Sequence, residues 1–371
     1  MKSLKKGAFN KLASFLLIAV LLICIVGFAA SGWQSTQEIE PDSSENGDTA
    51  DNTDENTDGN SSGEDNLVEE ENQNTPPKEE YINLITGGKV TEQESNTIPL
   101  GFVVDSSSPL YGISTSDITI EFPIENNTTR LLSYTTKTSL LWKIGALAPT
   151  RKYISGMSSF FGGAVISYGN DDLFTYTGAE TAQFDVDISK FQDLYFKENS
   201  NLVYTGKNMV DTAISRSGAE EISPYKSAPY IFSSGEVIGN TTAKTVVLPY
   251  QNSKTKLYYS EKNSKYYYYK EDTCKVDMLN GQSIAFDNVF VLFANATTYE
   301  QAGGTQTVID TLGGGKGYYI SKGAKTEFIW RVSEVGELNF TSLSGEALAI
   351  NPGNAYVSYF KASCVSKVTI S

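Results

Sequence analysis

The chain has 371 residues, with 29 basic and 44 acidic side chains and a net charge of −15. Histidine is absent, which excludes a Ser-His-Asp or Cys-His catalytic arrangement and any zinc site that uses imidazole. The acidic excess is confined to residues 37–80, which hold 16 acids and one base. Residues 81–371 are close to neutral, which argues against a nucleic-acid partner.

The N-terminus has the pattern of a membrane segment. Lys2, Lys5, Lys6 and Lys11 precede an uncharged run over residues 12–33. As a helix this run reaches about 33 Å, enough to cross a hydrocarbon core. We predict a transmembrane helix over residues 12–33, with the basic residues 1–11 in the cytoplasm and the rest of the chain outside. A signal sequence cleaved after the small residues 29–32, or lipid attachment at Cys24, are the alternatives.

Residues 34–80 are predicted to be a disordered acidic linker. They are rich in Asn, Ser, Gly, Asp and Glu and nearly lack aromatic residues. Such a segment cannot bury enough apolar surface to offset the entropy lost on ordering, and its like charges extend it. The alternative is an acidic tail that itself binds cations or a partner.

Residues 81–226 combine strand and helix patterns and are predicted to form a mixed α/β domain. Predicted strands cover residues 100–104, 118–124, 130–136 and 164–168. A turn-like segment at residues 125–128 predicts that the second and third of these strands form a hairpin. Predicted helices cover residues 151–161, 187–196 and 207–216, the first ending at Gly162 and the last before Gly218.

Residues 227–371 are predicted to form a mainly β domain, so that the fold class of the whole chain is α+β. Short segments rich in Val, Ile, Thr and Tyr are separated by turn clusters. The predicted strands cover residues 244–249, 256–259, 266–270, 289–294, 317–321, 326–332 and 355–360. Cys274 and Cys364 lie in this domain, and their pairing as a disulfide is left open.

Tyrosines flank the turn at residues 260–265 and predict a hairpin. Tyr258 and Tyr259 precede the turn, and residues 266–269 are all tyrosine. Stacked tyrosines could form a platform that binds sugar or protein. Alternatively, they form cross-strand pairs that only stabilise the hairpin.

Four charged residues form the candidate binding site: Glu121, Glu125, Arg130 and Arg151. In the predicted hairpin Glu121 and Glu125 share one face, because strand side chains alternate with period two. Two carboxylates and two arginines could bind a polar ligand, or perform acid–base chemistry if burial raised one carboxyl pKa. An internal network of ion pairs is the other interpretation. No catalytic residue, metal site or cofactor is predicted.

Two short motifs resemble catalytic signatures but depart from them. Residues 313–317 (GGGKG) lack the hydroxyl residue after the lysine and the spaced first glycine of a phosphate-binding loop, and a strand follows them. A glycine-rich turn with close backbone approach is therefore predicted. Residues 223–226 and 253–256 match S-x-x-K, but neither lies in a predicted helix, as Ser-Lys catalysis requires.

Several stretches in one order resemble the YerB-like family of bacterial cell-envelope lipoproteins, a domain of unknown function with N- and C-terminal parts. The matching stretches are residues 83–87, 112–114, 117–118, 143–145, 204–205, 228–230, 313–321 and 351–353. The chain departs from the family pattern at Cys24, which lacks the small residue expected before a lipoprotein cysteine. It also has no histidine at the positions where the family pattern has one. The resemblance implies a cell-envelope protein.

Taken together, the sequence predicts a membrane-anchored protein whose folded part lies outside the cytoplasm. The predicted activity is non-catalytic binding of a cell-wall polymer or of a membrane protein. A carboxylate-dependent enzyme that acts on cell-wall glycan, through Glu121 or Glu125, is the alternative.

Overall fold

The computed structural model describes residues 80–125, 128–173, 184–199, 201–218, 224–225, 228–250, 253–301 and 304–371. The predicted membrane segment, Cys24 and the acidic linker up to residue 79 lie outside the described residues. Within the ranges given above, no helix is both long and apolar enough to cross a membrane.

The N-terminal part contains ten strands and four short helices within the described ranges. In chain order they are β1 (Tyr81–Ile82), β2 (Lys89–Val90), α1 (Glu92–Ser95), β3 (Leu100–Asp105), β4 (Ile118–Pro123), β5 (Thr129–Thr135), β6 (Ile144–Leu147), α2 (Lys152–Ser155), α3 (Ser158–Phe161), β7 (Ala164–Ser167), β8 (Asp185–Asp187), β9 (Phe196–Glu198), β10 (Leu202–Thr205) and α4 (Lys207–Ser217). Single 3₁₀ turns cover Thr138–Leu140 and Ile188–Lys190.

The described C-terminal part is almost entirely β-structure, as predicted. Its strands are β11 (Ile231–Phe232), β12 (Thr241–Thr242), β13 (Thr245–Tyr250), β14 (Ser253–Ser260), β15 (Lys265–Lys270), β16 (Thr273–Cys274), β17 (Ala285–Phe286), β18 (Asn288–Ala294), β19 (Ala296–Gln301), β20 (Gly304–Ile309), β21 (Gly314–Ser321), β22 (Ala324–Val332), β23 (Leu338–Ser342), β24 (Ala349–Ile350), β25 (Ala355–Lys361) and β26 (Thr369–Ile370). A 3₁₀ helix, Ala362–Lys367, follows β25.

One large mixed sheet crosses the predicted boundary at residues 226/227. Its main path runs β12-β22-β21-β18-β25-β4-β5-β3-β6-β10-β9. At the centre, β25 lies parallel to both β18 and β4, and Ser358 is paired with Glu121. Strands from both parts of the chain therefore share backbone hydrogen bonds, while the division into two domains stays a prediction.

A second sheet of six strands covers one face of the large sheet. Its main path is β16-β15-β14-β13-β26, with β17 paired to β15. Strict alternation on β13 buries Val246, Leu248 and Tyr250, which pack into one core with Tyr356 and Phe360 of β25. The opposite face of the large sheet packs against α2 and α3. The two layers of apolar side chains follow from the period-two pattern of the strands.

The predicted helix over residues 187–196 is wrong. The segment forms the end of β8, one 3₁₀ turn and a loop before β9. The Asp187 carboxylate accepts hydrogen bonds from the Ser189 backbone N–H (3.0 Å) and hydroxyl (2.6 Å). This local side-chain bond competes with helical hydrogen bonding. The predicted helix over residues 151–161 is divided into α2 and α3, and it ends at Gly162 as expected.

Candidate functional site

Arg130 and Arg151 converge on one carboxylate, Asp171. Arg130 Nη1 donates to Asp171 Oδ1 at 2.8 Å and Nη2 donates to Oδ2, a bidentate pair. Arg151 Nε donates to the same Oδ1 at 2.9 Å. The backbone N–H of Asp171 donates to the Thr150 carbonyl, which places the carboxylate beside Arg151. Asp171 was not among the predicted site residues.

Glu125 completes this ion-pair network. Arg151 Nη1 lies 2.8 Å from Glu125 Oε1, and Nη2 lies 2.6 Å from Oε2. The backbone N–H of Thr307 on β20 also donates to Glu125 Oε1. The structure therefore brings together three of the four predicted residues, Glu125, Arg130 and Arg151, and it joins them to β20.

The network is balanced in charge, and its carboxylates are held ionised. Burial raises the pKa of Glu125, but the hydrogen bonds from Arg151 and Thr307 outweigh it and lower the pKa overall. The pKa of Asp171 is likewise lowered, because the hydrogen bonds from Arg130 and Arg151 outweigh burial. The ion pairs between these ionised carboxylates and the buried arginines therefore hold the loops against the strands.

Glu121 lies apart from this network, between the two sheets. Its side chain is fully buried and lies 2.9 Å from Lys270 Nζ on β15. Thr255 donates to Oε1 at 2.9 Å, and the Tyr356 hydroxyl donates to Oε2. The prediction that Glu121 and Glu125 share a face is wrong, because β4 ends at Pro123 and Glu125 lies in the turn beyond it.

Lys270 is the residue of this cluster that sequence analysis missed. Besides Glu121, it donates to Thr129 Oγ1 at 2.7 Å, and its Nζ lies 5.2 Å from the centre of the Tyr250 ring. The signal was present in the sequence: Tyr266, Tyr268 and Lys270 alternate on β15 and all point inward. The cluster joins β4 of the large sheet to β14 and β15 of the small one.

The outward side of the small sheet carries three tyrosines and two lysines, and we call it the tyrosine face: Tyr258, Tyr267, Tyr269, Lys254 and Lys256. Tyr258 is paired with Tyr267, and Lys256 with Tyr269, across neighbouring strands. The Tyr258 and Tyr269 rings lie edge to face, 5.2 Å apart, and Tyr258 is 40% exposed. The predicted hairpin is confirmed, and its tyrosines divide between the core and the surface.

Asp272 fixes the two lysines of the tyrosine face. Lys254 Nζ donates to Asp272 Oδ2 at 2.9 Å, and Lys256 Nζ donates to Oδ1. These hydrogen bonds, from Lys256 first and then Lys254, lower the pKa of Asp272 to about 2. The tyrosine face therefore presents aromatic rings beside two lysines whose positive charge is partly neutralised by Asp272.

The glycine-rich motif is part of a strand. Gly314 begins β21, which continues into the β21–β22 hairpin. A Cβ on Gly317 would lie 2.6 Å from the Phe328 ring, and one on Gly315 would lie 2.3 Å from the Phe293 carbonyl oxygen. The predicted glycine-rich turn is wrong, because residues 314–317 are paired with β22 as part of β21, whereas the predicted close backbone approach is confirmed at Gly315. The S-x-x-K motif at residues 253–256 lies on β14, an extended strand and not a helical turn.

Comparison with known proteins finds a family model that matches part of this chain. The C-terminal domain of DUF3048, described as a protein of unknown function, matches residues 246–357. This match includes the tyrosine face and Lys270 but not the Glu125 network. The matched residues thus lie in the β-rich C-terminal part of the chain.

A particular relative is YerB of Bacillus subtilis, which is named as a lipoprotein. The chain is 23% identical to it over 285 residues, which are 74% of this chain and 84% of YerB. The crystal structure of YerB from Bacillus subtilis matches with a TM-score of 0.66 at 21% identity, covering 78% of this chain and 99% of that one. The resemblance predicted from the sequence is confirmed as a similarity to YerB over most of the chain and to the DUF3048 C-terminal domain over residues 246–357.

Proposed function

We propose that this protein is a non-catalytic binding protein of the cell envelope, held at the membrane with its folded part outside the cytoplasm. The lipoprotein name of its relative YerB supports this setting. The lysines before the uncharged run support a single-pass helix over residues 12–33, and the acidic residues 34–80 act as an extended spacer.

The ligand we propose is the glycan of a cell-wall polymer, bound on the tyrosine face. The carrying observation is the edge-to-face pair of the exposed Tyr258 and the partly buried Tyr269, with Tyr267 beside Tyr269 on the same side of β15. Tyrosine rings offer an apolar surface and a hydroxyl together, which suits the mixed surface of a sugar ring. The fixed strands hold the rings in place, so that little side-chain entropy is lost on binding.

The carboxylate-enzyme alternative is less well supported by the geometry. Both oxygens of Glu121 accept hydrogen bonds within a fully buried cluster. Glu125 is held by Arg151 and by the Thr307 backbone. A general acid must reach the proton it transfers, and both oxygens of each carboxylate are already held by hydrogen bonds or ion pairs within the protein.

Co-sedimentation with insoluble cell-wall glycan tests the proposal. The full-length protein in detergent micelles should pellet with the glycan, and the triple variant Y258A/Y267A/Y269A should lose at least about tenfold in affinity, at roughly 1 kcal/mol or less per aromatic contact. The matched control is Tyr299→Ala, which removes a 38% exposed tyrosine from a different sheet. Equal pelleting of the wild type and the triple variant would overturn the glycan proposal. If the protein captures a membrane protein and not the glycan, that result would favour the other predicted partner.

A further inference from the structure

A pocket of about 220 Å³ opens at the edge of the space between the two sheets. Its apolar wall consists of Pro123, Pro249, Tyr250 and Phe360. The Tyr250 and Phe360 rings lie 5.3 Å apart, and the Tyr250 hydroxyl is 2.7 Å from Ser358 Oγ. Both rings are almost fully buried, and they pack against each other in the core between the sheets.

Two lysines border the same pocket. Lys361 ends β25, and Lys367 ends the 3₁₀ helix that follows. Among the described residues neither lysine has a carboxylate within ion-pair distance, in contrast to Lys254, Lys256 and Lys270. In the part of the chain that the structure describes, no acidic side chain lines the pocket. An apolar wall thus lies beside two lysines that have no carboxylate partner among the described residues.

We propose that this pocket binds a phosphate group carried on a small organic body. A phosphate group carries one negative charge as a diester and about −1.5 to −2 charges as a monoester at pH 7, so that either form is attracted to two lysines. Lysine binds phosphate as a point charge, and the attached body would pack against Tyr250 and Phe360. The volume lies below the roughly 300–1,000 Å³ of pockets for drug-sized ligands, so the body is no larger than a single ring or a glycerol unit.

This site is separate from the tyrosine face and does not rest on it. Tyr250 points into the core from β13, whereas Tyr258, Tyr267 and Tyr269 point outward. Phosphate in the cell envelope comes either from a polymer unit or from a lipid headgroup, and both present the same chemistry to the lysines. The triple tyrosine variant should therefore retain phosphate binding.

Cys364 provides a direct readout, because it also lines the pocket. Cys274, on β16, is likewise a free and partly exposed thiol but lies outside the pocket. In the full-length protein, saturating phenyl phosphate should slow alkylation of Cys364 at least about fivefold and leave Cys274 unchanged, as measured by peptide mass spectrometry. Equal slowing at both thiols, or slowing at neither, would overturn the proposal.

Lysine variants test the charge requirement. The K361A/K367A variant should abolish the protection of Cys364, while each single variant weakens phenyl phosphate binding about tenfold, as expected for one charge-assisted hydrogen bond. The matched control, Lys316→Ala, removes an exposed lysine from β21 and should leave protection intact. Thermal melting identifies any variant that has unfolded. Protection that survives the double substitution would contradict the assignment.

The source of the phosphate is identified by two further probes. Protection by glycerol 1-phosphate indicates a polymer unit, and protection by phosphatidylglycerol vesicles alone indicates a lipid headgroup. Phenol, which has the ring without the charge, should protect at least about tenfold less well than phenyl phosphate. If phenol protects equally, the pocket is an apolar site and the proposal is wrong.

Discussion

Lys270 Nζ lies 2.9 Å from Oε1 of Glu121, although 149 positions separate the two residues and each belongs to a different sheet. Both side chains are buried, so this ion pair contributes to the packing of one sheet on the other. Removing one member of a buried pair leaves the other charge without compensation, which costs far more than the pair contributes.

Glu121→Gln should therefore destabilise the fold strongly. We expect a loss of about 3 kcal/mol in the free energy of unfolding, measured by urea denaturation, because Lys270 keeps its charge in the core. Adding Lys270→Met should recover at least half of that loss, since no uncompensated charge remains. A single variant within about 0.5 kcal/mol of wild type would show that the interior tolerates the unpaired lysine.

Arg151 should not be replaceable by lysine. Its Nε and both Nη atoms contact two carboxylates, Asp171 and Glu125, a geometry that a lysine ammonium cannot reproduce. We expect Arg151→Lys to cost about 1–2 kcal/mol of unfolding free energy. The control is Arg216→Lys, whose partner Asp193 is exposed, where the cost should stay below about 0.5 kcal/mol. Similar costs at both positions would contradict the network.

Acid should weaken the same network. The folded-state pKa values of Glu125 and Asp171 lie below their unfolded values, so their contribution is present above the unfolded pKa of about 4 and is lost as the pH falls through the folded pKa. Stability measured from pH 7 to pH 2 should fall below about pH 4. Arg151→Ala should flatten the dependence of stability on pH. An unchanged slope in this variant would show that other groups cause the loss of stability in acid.

Gly317 should tolerate no side chain, for a packing reason. A Cβ at this position would lie 2.6 Å from the Phe328 ring, so Gly317→Val should cost about 1–3 kcal/mol in thermal unfolding. Gly235→Ala is the control, because its added Cβ meets no atom within 4 Å. Comparable costs at the two glycines would contradict the close-approach interpretation.

The mature N-terminus decides between the membrane anchor and a cleaved signal. Intact-mass spectrometry of protein isolated from membranes should find residues 1–30 present, because the uncharged run is long enough to span. A chain that begins near residue 30 would contradict the transmembrane anchor. A lipid adduct on Cys24 would show that a lipid holds the protein at the membrane.

Local patterns predicted most strands but not the long-range contacts. The β4–β5 hairpin and the tyrosine hairpin followed from alternation and turn residues, and both are present. Asp171 and Lys270 were missed because their partners lie 20 to 149 positions away, and no local periodicity records such contacts. The predicted helix over residues 187–196 is wrong because the Asp187 side chain accepts a hydrogen bond from a nearby backbone N–H. Helix propensity does not take this local competition into account.

The parallel pairing of β4 with β25 has a consequence for synthesis and export. Ile118 finds its partner Ala355 only after more than two hundred further residues have been made. Contacts of such sequence separation form slowly, because a long loop must close before they contribute. If the residues after the predicted membrane segment are exported in the order of their synthesis, β4 lies at the outer face without β25 until the last strands emerge. Truncation shortly before residue 355 should therefore yield a protease-sensitive chain and not a smaller folded protein.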